Sequence, residues 1–250
     1  MSGDWSDILS LLGKDRAAED ADAPGGNDAP WQLYRDLARD CVARPLVIAQ
    51  IGQSLDGRIA TASGHSHYIN GPESLDHLHR LRAIADAVVI GASTAALDNP
   101  RLTTRRVPGP NPVRVVIDPN GRMPSEHALL TDPEAETLLV GRRDGADLPP
   151  HCTVLAIAGS AHHVAPEAVL GQLRARGLRT ILIEGGGETI SRFLTAGLID
   201  RLHIAVAPML IGSGRPGLVL PEIETLSEAR RFEARTYSLG ADMLFDCHLS

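Results

Sequence analysis

Aromatic side chains are scarce in this chain: Phe, Tyr and Trp together make up 3% of its 250 residues. That excludes stacking of several bases on a row of rings, and with it a single-stranded nucleic-acid platform. Basic charge is also in short supply, 24 Lys and Arg against 31 Asp and Glu for a net charge of −7, which disfavours a polyanionic partner. Cysteine occurs only at positions 41, 152 and 247, with no Cys-x-x-Cys pair. Neither a disulfide framework nor a structural zinc site is expected from so odd and scattered a set, and the thiols read as reduced and mostly buried. No apolar run approaches the roughly 20 residues of a membrane span, and the first residues lack the basic and apolar regions of a signal peptide. The expectation is a cytoplasmic globular protein with neither nucleic-acid nor membrane partner. Its 43% hydrophobic content is ample for a buried core.

What the chain does have is a distinctive stretch from Thr180 to Ile190, an apolar run that stops at Glu184 and turns through Gly185, Gly186 and Gly187. It reads as strand, tight turn and helix N-terminus. Glycines there let backbone approach a ligand closely, and the free N–H groups and positive dipole of the helix's first turn suit a phosphate. Close packing of strand against helix explains a glycine turn as well, so the motif carries weight only in company.

Residues 1–44 differ in composition from the rest. Helix-like pieces from Trp5 to Leu12 and from Trp31 to Val42 flank an acidic, Gly/Pro-rich linker from Ala17 to Pro30. This arm is expected to lie outside the core fold, either frayed or docked through the helical face of Trp5, Ile8, Leu9 and Leu12 on the body or on a second subunit. From residue 45 to 250, β-like runs recur at 46–51, 87–91, 113–118, 137–140, 180–184 and 201–207. Helical patterns at 72–86 and 166–176 lie between them. The alternation implies one α/β domain with a mostly parallel sheet covered by helices on both faces. The runs 231–238 and 241–249 read as a C-terminal antiparallel hairpin.

Four polar or glycine-bearing clusters each follow an apolar strand: 52–60, 91–94 with 98–103, 118–122, and the glycine turn. In a parallel sheet such loops converge on one edge and make one site. Asp98 before Asn99-Pro100 suits either catalysis or a turn cap, and Asp56-Gly57 is a turn dipeptide. His65 with His67, and His77 with His79, stand two apart, which on a helix directs them to different faces, so no metal site is expected.

The order of Ser54-Leu55-Asp56-Gly57-Arg58-Ile59-Ala60, Leu81-Arg82-Ala83, Gly91 to Thr94, Asp98-x-Pro100-x-Leu102-Thr103, Val115 to Asp118 and Glu184-Gly185-Gly186-Gly187 resembles the pyrimidine reductases of riboflavin biosynthesis. The likeness runs from about Arg44 to Leu249. It implies a dihydrofolate-reductase-like α/β fold, usually a homodimer. It also implies an oxidoreductase that uses NADPH, with NADH the alternative, to reduce the ribosylamino group of a phosphoribosylamino-pyrimidine. On this resemblance Ser66, Arg82, Leu102, Arg105 and Glu184 bind the substrate, the arginines at its phosphate. Gly52, Tyr68, Thr94, Asp98, Gly186, Gly187, Glu188, Thr189, Ile190 and Arg192 hold the cofactor. Asp98 and Glu184 serve the chemistry. The alternative on the same scaffold is a reductase of dihydrofolate or another pterin.

Three positions depart from the family pattern. Pro119 replaces a serine that helps hold the 2′-phosphate of NADP, Gln50 a lysine near the reactive centre, and Asn99 the second aspartate of an Asp-Asp-Pro run. Many relatives are fused to a zinc deaminase, but no His-x-Glu with Pro-Cys-x-x-Cys occurs here, which implies a reductase unit without deaminase activity.

Overall fold

A computed structural model describes residues 5–14, 30–67, 69–141, 148–157 and 164–249. Two N-terminal helices, α1 (Trp5–Leu11) and α2 (Trp31–Ala43), precede β1 (Leu46–Ser54), β2 (Arg58–Ala60), α3 (Pro72–Ile84), β3 (Ala87–Gly91) and α4 (Ala92–Asp98). Then come β4 (Val113–Asp118), α5 (Ala128–Thr131), β5 (Thr137–Gly141), β6 (Cys152–Leu155), α6 (Pro166–Ala175), β7 (Thr180–Glu184), α7 (Gly187–Thr195) and β8 (Arg201–Ala207). The short β9 (Arg215–Pro216) and the hairpin β10 (Glu233–Leu239) and β11 (Asp242–His248) close the chain. Among the described residues no helix is long and apolar enough to cross a membrane.

Nine strands form one sheet in the order β10-β11-β8-β1-β7-β3-β4-β5-β6. From β8 to β6 all neighbours run parallel, while β11 pairs antiparallel with both β8 and β10. The parallel strands read as continuous apolar runs because both of their faces are covered. On β1, Leu46 and Ile48 join the core under α1–α5, while Val47, Ala49 and Ile51 face the second core under α6 and α7.

Of the expected outcomes for the N-terminal arm, docking on the body is the one its helices show, and they go further by joining the core. Trp5, Ile8 and Leu9 of α1, and Leu33, Tyr34, Leu37 and Cys41 of α2, are buried within the larger core cluster. The apolar stripe on each helix explains this, since leaving a tryptophan, a tyrosine and four aliphatic side chains in water would forfeit several kcal/mol of burial. Lys14 fastens the end of α1 by donating to the carbonyls of Ile84 (2.5 Å) and Ala85 (3.0 Å) and pairing with Asp86 (3.0 Å), a cation at the C-terminus of α3. The linker between the two helices lies almost wholly outside the described residues.

Beneath α2 and α3 runs a buried polar chain. Tyr34 Oη lies 2.8 Å from His77 Nδ1, His77 Nε2 lies 3.1 Å from His203 Nδ1, and His203 Nε2 lies 3.2 Å from Asp246 Oδ1. Arg201 grips Asp246 through Nε (2.9 Å) and Nη2 (2.5 Å) and reaches Asp40 of α2 at 2.9 Å. Burial, followed for His77 by the opposing His203, holds both imidazoles below the usual histidine range. Below pH ~6.5 the unfolded chain takes up protons that the folded one refuses, so this stability is complete above that pH and lost as pH falls. Between pH 6 and pH 5 we expect a loss of up to about 1.4 kcal/mol per pH unit for each histidine. Thermal melts at the two pH values measure it, and an unchanged Tm would contradict the neutral, buried state of the pair.

Candidate active site

The C-terminal ends of β1, β3, β4 and β7 open onto one cleft of about 850 Å³, lined among others by Gln50, Gly52, Gly91, Thr94, Pro119, Arg122 and Glu184. All four clusters singled out in the sequence contribute to its wall, as the parallel topology requires. Gln50 and Glu184 are register partners on adjacent strands, so the amide and the carboxylate stand side by side at the floor.

Glu184 does not stand as an isolated carboxylate. Arg82, on α3 and 4% exposed, donates from Nε to Glu184 Oε2 at 2.8 Å and from Nη2 to Oε1, while its Nη1 donates to the carbonyl of Thr103 at 3.1 Å. The planar fork fixes the carboxylate's orientation in a way that a lysine would not. Arg82 itself is spent on this pair and does not line the cleft. Nearby, His79 Nδ1 accepts the backbone N–H of Arg105 at 3.1 Å. Burial and then the charges of Arg82, Arg105 and Arg106 push the His79 pKa down to about 3, which keeps that nitrogen an acceptor.

The glycine turn behaves as both of its readings require. Gly186 caps α7, and its N–H donates to Thr94 Oγ1 at 3.0 Å, tying the start of α4 to that of α7. A Cβ on Gly187 would lie 2.0 Å from the carbonyl oxygen of Gly217, so this glycine admits the backbone of the 215–217 segment rather than a ligand. The first turn of α7 stands at the cleft beside Thr94; its Thr189 and Ile190 N–H groups donate to the Gly186 carbonyl at 3.0 and 3.4 Å, and the N–H groups of Gly187 and Glu188, which precede any carbonyl the helix could offer them, are the ones left to meet a ligand. That donor set fits an anionic group such as the pyrophosphate of a dinucleotide. Gly187→Ala should therefore displace the 215–217 wall, cost about 1–3 kcal/mol and weaken nicotinamide-dinucleotide binding. Thermal melts and a fluorescence titration check both effects, and an unperturbed variant would contradict the packing described.

Of the residues assigned by resemblance, Gly52, Ser66, Thr94, Asp98, Leu102, Glu184, Gly186, Gly187, Glu188, Thr189 and Arg192 all line the cleft. Arg105 lies on an exposed loop beside it, and Tyr68 lies outside the described residues. Ile190 does not reach the cleft: its side chain is fully buried in the core beneath α7, because the helical turn carries it inward. Partial burial raises the Asp98 carboxyl above the usual carboxylate range, with His67 opposing.

Asn99 closes α4 in the left-handed region at φ 41°, a conformation asparagine tolerates, and its Oδ1 accepts the N–H of Ala128 at 2.9 Å. Asp56 shapes its loop, accepting from Ser54 Oγ (2.5 Å) and from the N–H groups of Ile211 (3.1 Å) and Gly212 (2.7 Å), which brings its pKa down to about 2. Asn70, Val164, Arg215 and Val219 also line the cleft and were missed from sequence. Asn70 had a signal, the Asn-Gly-Pro turn before α3. A Cβ on Gly52 would meet Asn70 Oδ1 at 2.0 Å, so Gly52 makes room for that amide.

A mostly parallel sheet with an anion-favouring helix N-terminus at the C-terminal ends of its central strands defines the open α/β class whose ligands bind in the crevice there. The comparisons narrow this class. The chain belongs to the RibD C-terminal domain family, whose profile matches residues 45–244. It is 37% identical over 217 residues to the 2,5-diamino-6-ribosylamino-4(3H)-pyrimidinone 5′-phosphate reductase of Methanothermobacter thermautotrophicus, covering 81% of this chain and 97% of that protein. Riboflavin biosynthesis protein RibD of Corynebacterium ammoniagenes is 34% identical over 206 residues, 82% of this chain but 56% of that protein. The solved structure of Acinetobacter baumannii RibD superposes with a TM-score of 0.72 at 28% identity, covering 87% of this chain and 60% of that one. The chain thus spans nearly all of the first relative and little more than half of the RibD proteins.

Proposed function

We propose that this protein is an NADPH-dependent reductase of riboflavin biosynthesis that converts 5-amino-6-(5-phosphoribosylamino)uracil to its 5-phosphoribitylamino counterpart. The observation that carries the proposal is the convergence of four strand-end loops on one cleft, in a chain 37% identical to a reductase of a ribosylaminopyrimidine phosphate. A pterin substrate has no comparable support: a pterin reductase would present an unpaired carboxylate to the ring, whereas Glu184 is held by Arg82.

The reaction needs orientation and charge rather than a nucleophile. Opening of the substrate's ribose ring leaves a C=N bond between C1′ and the amino nitrogen. A bound nicotinamide would supply the hydride that C1′ takes up, and the nitrogen takes a proton, giving the ribitylamine. Within the cleft, Glu184, oriented by Arg82, accepts hydrogen bonds from the substrate, and Gln50 beside it contributes a neutral amide. Asp98 holds its proton to higher pH than an ordinary aspartate and is placed to order or deliver one. Ser66, Leu102 and Arg105 bind the phosphosugar. The first turn of α7, with Thr94, Thr189 and Arg192, would hold the dinucleotide, and Arg122 would take over at a 2′-phosphate where Pro119 offers no donor. The enzyme works as a cytoplasmic homodimer.

The test is nicotinamide oxidation followed by absorbance, with the uracil substrate, its 2-amino precursor and dihydrofolate, each with NADPH and NADH. Turnover of the phosphoribosylamino-pyrimidines with NADPH is expected. The ratio between the two identifies the deamination state that is used. Turnover of dihydrofolate alone would refute the proposal.

A further inference from the structure

The arm helix α1 lies outside the span matched by the family, yet it contacts the loop that carries Arg105. Trp5 is 2% exposed and donates from Nε1 to the carbonyl of Pro108 at 2.7 Å, across 103 residues of sequence. Pro108 is at the tip of an irregular loop whose base is pinned by Thr104, through N–H to Asn111 Oδ1 (2.8 Å) and Oγ1 to the Pro110 carbonyl (3.0 Å). Arg105 leaves this loop one residue past the pinned base. Gly109, at φ 143°, lets the tip sit against the body: a Cβ there would lie 2.6 Å from Ala83 Cβ and 3.7 Å from Leu9 of α1. Trp5 is itself held in place. Its ring packs edge-on against Tyr34 at 5.6 Å, and the Arg80 guanidinium of α3 lies 5.9, 5.4 and 5.5 Å from the Trp5, Trp31 and Tyr34 rings. The same helix α3 carries His79 and Arg82, so the arm braces the element that anchors Arg105 from behind and the loop tip from outside.

We infer that Trp5 is a positioning residue for phosphate recognition: by holding Pro108 it fixes the 104–111 loop and aims Arg105 at the substrate's phosphate. The inference rests on reading Arg105 as the phosphate ligand. The neighbouring guanidinium groups of Arg82 and Arg101 disfavour the protonated form of Arg105, and an anion set among them would relieve that repulsion. A loop tied at its base and loose at its tip would present the guanidinium in many directions, and binding would have to order it.

Trp5→Phe removes the N–H donor and keeps an apolar ring in the cage. In the full-length protein we expect KM for the phosphoribosylamino substrate, and the inhibition constant of ribose 5-phosphate as a probe, to rise about fivefold to tenfold. The kcat, the NADPH dissociation constant and the Tm should stay within about twofold or a few degrees. Because Trp5 acts through Arg105, Trp5→Phe added to Arg105→Ala should cause no further loss. Unchanged ribose 5-phosphate inhibition in Trp5→Phe, equal weakening of NADPH, or additive losses in the double variant would overturn the inference while leaving the proposed reaction intact. If Arg105→Ala itself leaves ribose 5-phosphate binding unchanged, the phosphate assignment fails and the inference fails with it.

Discussion

Glu184→Gln should lower kcat/KM for the phosphoribosylamino-pyrimidine by roughly 100- to 1,000-fold, the range seen when one preorganised electrostatic contact is removed from an active site. The substitution keeps the volume of the side chain at the cleft floor and removes its charge. Arg82 then loses the carboxylate that receives two of its N–H groups, while remaining almost wholly buried. The cost is therefore double. The substrate loses an oriented acceptor, and the fold keeps an uncompensated guanidinium, worth about 3 kcal/mol of stability. Arg82→Lys separates the two effects, because it retains a cation beside Glu184 but not the fork that orients it; its kcat should fall with a smaller loss in Tm. Steady-state kinetics alongside thermal melts test both. A Glu184→Gln enzyme within a few-fold of the parent would remove Glu184 from the reaction.

Asp246→Ala should destabilise the protein by about 3–5 kcal/mol, the largest stability effect expected of any single substitution described here. Asp246 is fully buried on β11, where burial alone would raise its pKa. The hydrogen bonds of His203 and Arg201, with the charge of Arg201, outweigh that and hold the carboxyl well below the usual range. Removing it leaves Arg201, 3% exposed, with the half-exposed Asp40 as its remaining ion-pair partner among the described residues, and leaves His203 Nε2 without its facing oxygen. The folded-state pKa is depressed, so this contribution is present above pH ~4 and lost as pH falls further. The same network joins α2 to the hairpin strand, so the Trp5 and Trp31 fluorescence should report the loss. Denaturant melts measure it, and a loss below about 1 kcal/mol would mean that the network is not the anchor described.

The sequence made the sheet legible where its physics is local. The parallel strands carry uninterrupted Val, Ile and Leu runs, and β1, β3, β4, β5, β7 and β8 appear at the positions those runs indicate, as does the closing hairpin. Elements with weak local signals were missed. β6 is a four-residue edge strand after two prolines, β9 spans two residues, and α4 hides in a Gly-Ala-Ser-Thr stretch that reads as a turn. The arm's docking face is legible in Trp5, Ile8 and Leu9, but its share in the core is not, because the acidic linker dominates the composition of residues 1–44, whereas burial is decided by seven side chains on two helical faces. The site was legible as a convergence, since the topology sends all four loops to one edge. Its internal wiring was not. Arg82 and Glu184 are 102 residues apart, and nothing in either neighbourhood shows that the arginine faces the carboxylate rather than the cleft. Gly187 likewise reads as a phosphate glycine until the Gly217 carbonyl appears against it.

The most direct measurement of the central claim is the fate of a labelled hydride. Protein, phosphoribosylamino-uracil and NADPH deuterated at the transferable C4 position are incubated, and the product is analysed by mass spectrometry and NMR. One deuterium on C1′ of a ribityl chain, lost in Glu184→Gln in proportion to its kcat/KM, is the predicted result. Nicotinamide oxidation without deuterium at C1′, or no oxidation with either phosphoribosylamino-pyrimidine, would contradict it.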